Sequence, residues 1–180
     1  MENKVQFGLK NVHYAVMTDS GYETPVAVPG AVNLSLSAEG DMQKFYADNI
    51  AYFTTNTNNG YSGDLEIARI PDQMYEDIFG FEKSVSSNVL SENASAQAVT
   101  FALMFQINGD QNDNCYVLYA CTATRPDIAG STIGENTEPQ TQSVTLSAVP
   151  TADGKVFAKT TAETPEQVKT NWFKSVYSGD

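Results

Sequence analysis

The sequence predicts a mainly β protein, a β-sandwich or barrel flanked by one mid-chain helix and one C-terminal helix. Three observations carry that reading. Apolar residues recur with a period of two in separate short stretches, as in Val32, Leu34 and Leu36 against Asn33, Ser35 and Ser37. Nine Tyr and nine Phe, with many Thr, Val, Ser and Asn, favour strands and turns over helices. A helical period shows in only two places, after Pro71 and after Pro165.

Taken in order, residues 1–10 read as a loose polar start. Val12, Tyr14 and Val16 alternate with His13, Ala15 and Met17 in a first strand, closed by a turn at Thr18–Gly21. Tyr22–Val28 reads as a second strand. Pro25 cannot donate to a ladder, so that strand is at an edge or broken there. Pro29-Gly30 turns into a strand over Ala31–Ser37. A polar connector follows from Gly40 to Gly60. Phe45, Tyr46, Tyr52 and Phe53 are set into it, so it is expected to project as an arm and to order only against another subunit. Ile50–Thr55 is expected to pair with Leu65–Ile70 across Asn59-Gly60, a strong hairpin signal.

Asp64–Ile70 reads as a strand and Pro71–Phe79 as a helix. Pro71 suits its first turn, Ile70, Met74 and Ile78 share one face, and Gly80 supplies the left-handed stop. Ser84–Ser95 reads as a loop. Val99–Asn108 and Cys115–Thr124 are the longest strand candidates, joined as a hairpin by residues 109–113. Their weak alternation means that both faces are covered. Residues 126–139 read as a polar loop and Ser143–Val149 as an alternating strand. The turn Ala152–Gly154 leads into a strand over Lys155–Lys159. Thr164 and Gln167 have capping-box spacing around Pro165, and Val168, Trp172 and Val176 repeat on one helical face. Trp172 is read as a core anchor.

The chain, 180 residues long, is read as one domain over residues 1–180, with the arm at about 40–60. Its net charge of −12 argues against gripping nucleic-acid phosphates, though not against a surface that nucleic acid slides past. Cys115 and Cys121 fall on one face of a straight strand, roughly 20 Å apart at about 3.3 Å per residue, too far for a disulfide. Buried free thiols suit a reducing cytosol. MENKVQFGLKNV has no apolar run, so no signal peptide is expected, and no stretch is long and apolar enough for a membrane span.

Residues for chemistry are sparse. The one histidine, His13, sits in the first strand with no nucleophile elbow nearby in sequence. Glu76-Asp77 lies on the polar side of a short helix, and Glu135 and Glu138 lie in a loop. No phosphate-binding glycine motif or zinc spacing occurs. Asp110 and Asp113 fit a hairpin tip better than a calcium loop. The expectation is therefore no enzyme, with no catalytic residue, no cofactor and no metal.

Four stretches together carry a resemblance: GLKNVHYAVMT at 8–18, VPGAVNLSLSAEGD at 28–41, FYADNIAYF at 45–53 and GYSGDLEIARIPDQMYEDIFGF at 60–81. They resemble the major tail proteins of long-tailed phages, the phi13-type group, closely over residues 6–82 and more loosely beyond. The resemblance implies a tail-tube protein that closes six-fold into rings, with the rings stacked into a tube. The inner strands would form one continuous β-barrel, and the arm with Phe45, Tyr46, Tyr52 and Phe53 would reach a neighbouring ring. It implies self-association, tape measure, tail terminator and baseplate partners, a place in the virion tail after synthesis in the host cytoplasm, and a negative lumen through which DNA passes unheld during ejection. A carbohydrate- or ligand-binding β-sandwich of a virion is the competing reading, since Tyr and Asn suit sugar stacking. A small acidic enzyme with an unrecognised site is a third. A tube protein forms rings or tubes at high concentration, and a lectin-like module need not.

Overall fold

The computed structural model describes residues 6–108, 113–132 and 139–179. It is mainly β, as the sequence predicts. The elements are β1 (Leu9–Thr18), β2 (Gly21–Tyr22), β3 (Val26–Ala27), β4 (Ala31–Glu39), β5 (Met42–Ala47), β6 (Ile50–Asn56), β7 (Gly60–Ile67), α1 (Asp72–Asp77), β8 (Glu82–Lys83), β9 (Leu90–Ser91), β10 (Phe101–Ile107), β11 (Cys115–Ala123), β12 (Gln142–Val149), β13 (Phe157–Lys159) and α2 (Glu166–Asn171). One antiparallel sheet follows the path β2-β1-β10-β11-β12-β7-β4, with β3 added to β1 and β13 to β11. The sheet curls, bringing β4 back into contact with β1.

The curl encloses the larger of two cores. Val12, Tyr14, Leu65, Ile67, Phe101, Leu103, Leu118, Val144 and Leu146 meet there, and Ile70, Met74 and Ile78 bring α1 against them. The period-two pattern is why these side chains share a side: Leu34, Leu65 and Val144 stand in one cross-strand row. Tyr14 donates a 2.7 Å hydrogen bond to Asp77, tying β1 to α1. Gly80, at φ 69°, turns the chain away after α1. The second core lies on the opposite face of β1-β10-β11. Ala15, Ala102, Met104, Val117 and Tyr119 form its floor, and Trp172 covers them. The Trp172 indole donates to the Tyr116 carbonyl at 3.3 Å. The β10 strand is thus covered on both sides, as its unbroken apolar run predicts.

Several expectations are corrected. The first strand begins at Leu9, and Phe7 already donates to the Asn108 carbonyl, so residues 7–10 are tied down rather than loose, while residues 1–5 of that stretch lie outside the described residues. The strand read over Tyr22–Val28 is broken near Pro25 into β2 and β3, one of the two outcomes that Pro25 predicts. Ser84–Ser95 is not wholly loop, because β8 and β9 pair across it. The helix after Pro165 spans Glu166–Asn171 only, and Thr164 does not cap it. Its hydroxyl oxygen instead accepts from the Thr161 amide at 2.8 Å, so the local turn takes the cap. The 109–113 connection falls largely outside the described residues, as does the middle of the 126–139 loop.

The cysteines depart most instructively. Both are free and buried. Phe101 pairs Cys121 while Leu103 pairs Leu118, so β11 carries one extra residue as a bulge. That residue inverts the alternation. Cys115 faces the core under Trp172, and Cys121 faces the larger core. They lie on opposite faces, not on one.

Burial pushes the Cys121 thiol from its ordinary 9.0 up to about 12, and burial beside Asp77 raises the Tyr14 phenol. Both groups are held neutral in the fold and ionise in the unfolded chain at their ordinary values. Their contribution to stability is therefore intact below about pH 9 and lost as pH climbs toward 12. Melting temperature should stay level from pH 7 to 8.5 and fall progressively above pH 9. A melting temperature unchanged to pH 11 would contradict this burial.

Candidate assembly surface

The four aromatic residues singled out in the arm lie on a β-hairpin rather than an irregular connector. Met42 pairs Asn56, Lys44 pairs Thr54, Phe45 pairs Phe53 and Ala47 pairs Ile50. The turn is at Asp48-Asn49, with φ values of 51° and 63°. Two successive left-handed residues make the primed turn that matches strand twist, and Asp and Asn tolerate it. The expected pairing of Ile50–Thr55 with Leu65–Ile70 does not occur, and Asn59-Gly60 is not the hairpin turn. Instead β4-β5 and β6-β7 form one long ribbon. The Asn59 amide donates to the Glu39 carbonyl at 2.8 Å, and the Thr57 amide to the Asp41 carbonyl at 3.0 Å, linking the two ladders. The proximal half of the ribbon belongs to the sheet, and the distal half stands clear of it.

Phe45, Tyr46, Tyr52 and Phe53 are each between 61% and 72% exposed, and so are Met42 and Ile50. The residues of β5 and β6 are exposed almost throughout. Register places Phe45, Phe53, Ala47 and Ile50 on one face. A bulge between Phe45 and Tyr46 leaves Tyr52 without an opposite residue. The charges within residues 42–56 are Lys44 and Asp48, which cancel, in a chain of net charge −12. The aromatics were legible in the sequence. Met42 and Ile50 were not singled out, although the Asp-Asn turn signal marks their strands as a pair.

A second surface was not legible beforehand. On the outer side of β12-β7-β4, Asn33, Glu66 and Ser143 form one row, and Ser35, Asp64 and Thr145 the next. Ser37, Ser62 and Ser147 form a third. The Thr145 hydroxyl donates to Asp64 at 2.7 Å, and the Ser62 hydroxyl donates to Glu39. These three strands contain no Lys or Arg.

The residues weighed for chemistry stand apart. His13 meets the Phe173 ring in a tilted contact, with centroids 4.8 Å apart, and bonds the Asn11 carbonyl. Asp77 accepts from Tyr14, Glu76 pairs Lys83 at 3.7 Å, and Asp113 pairs Lys10 at 2.9 Å. Asp110, Glu135 and Glu138 lie outside the described residues. Among the described residues, no three His, Cys, Asp or Glu side chains gather where a metal ion could sit. No described helix is long and apolar enough to cross a membrane. A cleft of about 530 Å³ opens between α1 and residues 124–128, with Tyr75, Phe81 and Leu90 in its lining and Arg125 pairing Glu92 across it.

No protein-family profile matches the chain. No curated protein matches it significantly. Among solved structures, the cryo-EM structure of the anti-feeding prophage cap, described as a tube terminating cap, overlays at a TM-score of 0.49 with 13% identity. The overlay covers 89% of this chain and 96% of that one. A likeness at that level carries no argument about this chain.

Proposed function

We propose that this protein is a structural subunit of a phage tail tube, closing six-fold into rings that stack into a conduit for DNA, and that it is not an enzyme. The observation that carries the proposal is the projecting hairpin. An isolated two-stranded ribbon is marginal in water, and six large apolar side chains on it are exposed. Such a ribbon becomes stable when a partner covers it. The near-neutral hairpin is the part of an acidic chain best able to approach another copy without charge repulsion. The motif resemblance over residues 6–82 supports the same reading and supplies its finer content, the hexamer and the tail partners. The inference of one domain, residues 1–180 with the arm at about 40–60, belongs to the proposal.

Sedimentation over a rising concentration series tests it. Growth from monomer to very large species is the expected outcome, and a monomer at every concentration is the contrary one. The acidity adds a second expectation, since a conduit must not hold what passes through it. Isolated protein should not shift double-stranded DNA in a mobility assay at physiological salt. Tight DNA binding would defeat the conduit reading.

A ligand-binding virion module is the second reading, favoured by the cleft lined by Tyr75, Phe81 and Leu90. Saturable glycan binding that Tyr75→Ala abolishes, in a protein that stays monomeric, would select it.

A further inference from the structure

We infer that Gly40-Asp41 and Thr57–Asn59 form a fixed elbow, with Thr57 as its pin, that aims the hairpin in the free subunit. This departs from the expectation that the arm orders only against another subunit. Its consequence for assembly rests on the tube reading above, but the elbow belongs to the single chain. Register is the first ground. Glu39 pairs Gly60 at the end of the sheet, and Met42 pairs Asn56 at the start of the hairpin. Two residues on the outgoing strand, Gly40 and Asp41, therefore face three on the return, Thr57, Asn58 and Asn59. One extra residue on one strand is a bulge, which bends a ribbon and sharpens its twist.

The second ground is how the bulge is bonded. Thr57 holds Asp41 at both of its backbone groups. The Thr57 amide donates to the Asp41 carbonyl at 3.0 Å. The Thr57 hydroxyl accepts from the Asp41 amide at 3.0 Å and donates to the Asp41 carbonyl at 3.3 Å. The Asn59 amide takes the Glu39 carbonyl at 2.8 Å, and the Gly60 amide donates instead to the Asn58 side-chain carbonyl at 3.0 Å. The Glu39 carboxylate accepts from the Ser62 hydroxyl, tying the last residue of β4 to β7. The third ground is space. A Cβ on Gly40 would lie 2.0 Å from the Thr57 carbonyl oxygen, so the two strands pass too closely for any side chain there. The bend is thus written in the Thr57 and Asn58 side chains and in Gly40, and a segment bonded in this way is not a flexible linker. An arm aimed in advance loses less freedom on docking, which lowers the cost of association.

Pulsed-EPR distances in the dilute monomer test the elbow without any assembly. Thr54→Cys labels the hairpin, and Ser86→Cys or Asp153→Cys labels the body, all three at exposed positions. The native thiols are buried, and protein without the added cysteines reports their background. Each pair should give one narrow distribution. Thr57→Val removes the hydroxyl and should widen both distributions about twofold or more, whereas Thr57→Ser keeps the hydroxyl and should not. Without labels, Thr57→Val should raise the concentration needed for assembly about tenfold and leave the thermal transition of the body in place, and Thr57→Ser should behave as the parent. A broad distribution in the parent would make the arm a tether and overturn the elbow. A Thr57→Val distribution as narrow as the parent's would overturn Thr57 as its pin. Assembly of Thr57→Val at the parent's concentration, despite a widened distribution, would overturn the link between aim and assembly. A parent with narrow distances that forms no tubes at any concentration would instead remove the tube reading and leave the elbow standing.

Discussion

Replacing Met42–Asn56 with an Asn-Gly turn should leave a folded monomer that no longer polymerises at any concentration. The junction is available, because the Thr57 amide already donates to the Asp41 carbonyl and brings the two strands to turn distance. None of the removed residues belongs to either core, so the thermal transition of the body should stay within a few degrees of the parent. The energetics explain why the loss should be complete. Covering roughly 100 Å² on each of four rings gains about 10 kcal/mol gross at about 25 cal/mol per Å². Association costs about 4–15 kcal/mol before any ordering of side chains. One docked hairpin therefore sits near break-even, and assembly depends on many such contacts at once. Phe45→Thr with Phe53→Thr keeps the ribbon and removes two rings, and should raise the concentration needed for assembly at least tenfold. Tubes formed by the turn variant, seen at the parent's concentration, would show that the hairpin is not the joint.

Gly60→Ala should be among the most destabilising single substitutions in the body. Gly60 starts β7 at φ 106°, a conformation that L side chains rarely adopt. A Cβ placed there would lie 1.8 Å from the Ala148 carbonyl oxygen and 3.2 Å from the Val149 Cα. These are backbone atoms of β12, so relief requires β7 and β12 to part. Strain and broken ladder bonds together predict a loss of about 3 kcal/mol or more, read as a lower urea midpoint. A loss below about 1 kcal/mol would mean that the β7–β12 junction is looser than its geometry. The same residue is where the ribbon leaves the sheet, so the substitution should also impair assembly beyond its effect on the monomer.

The fold was legible in the sequence where one face of a strand is buried. Val144, Leu146 and Ala148 announced β12, and Ile70, Met74 and Ile78 announced α1, because burial on one side writes the period directly into the chain. It was illegible where both faces are alike. In β5 and β6 every position is open or nearly so, no alternation develops, and the segment reads as a polar connector. The Asn59-Gly60 signal then drew the turn to the wrong place. The left-handed residues that make the turn are Asp48 and Asn49, a weaker pair than Asn-Gly. The extra residue in β11 could not be read either, since a bulge is set by the partner strand, and it inverted the predicted relation of Cys115 and Cys121. Of the candidate surface, the aromatics Phe45, Tyr46, Tyr52 and Phe53 were visible as composition. The Ser, Thr and acid face of β12-β7-β4 was not, because it exists only once three distant segments are in register.

Negative-stain electron microscopy of the concentrated wild-type protein tests the central claim most directly. Hollow tubes of uniform width, whose end-on views average to six-fold rings, are the predicted result. A field of single 19.5 kDa particles at every concentration, with no ring or tube, would contradict it.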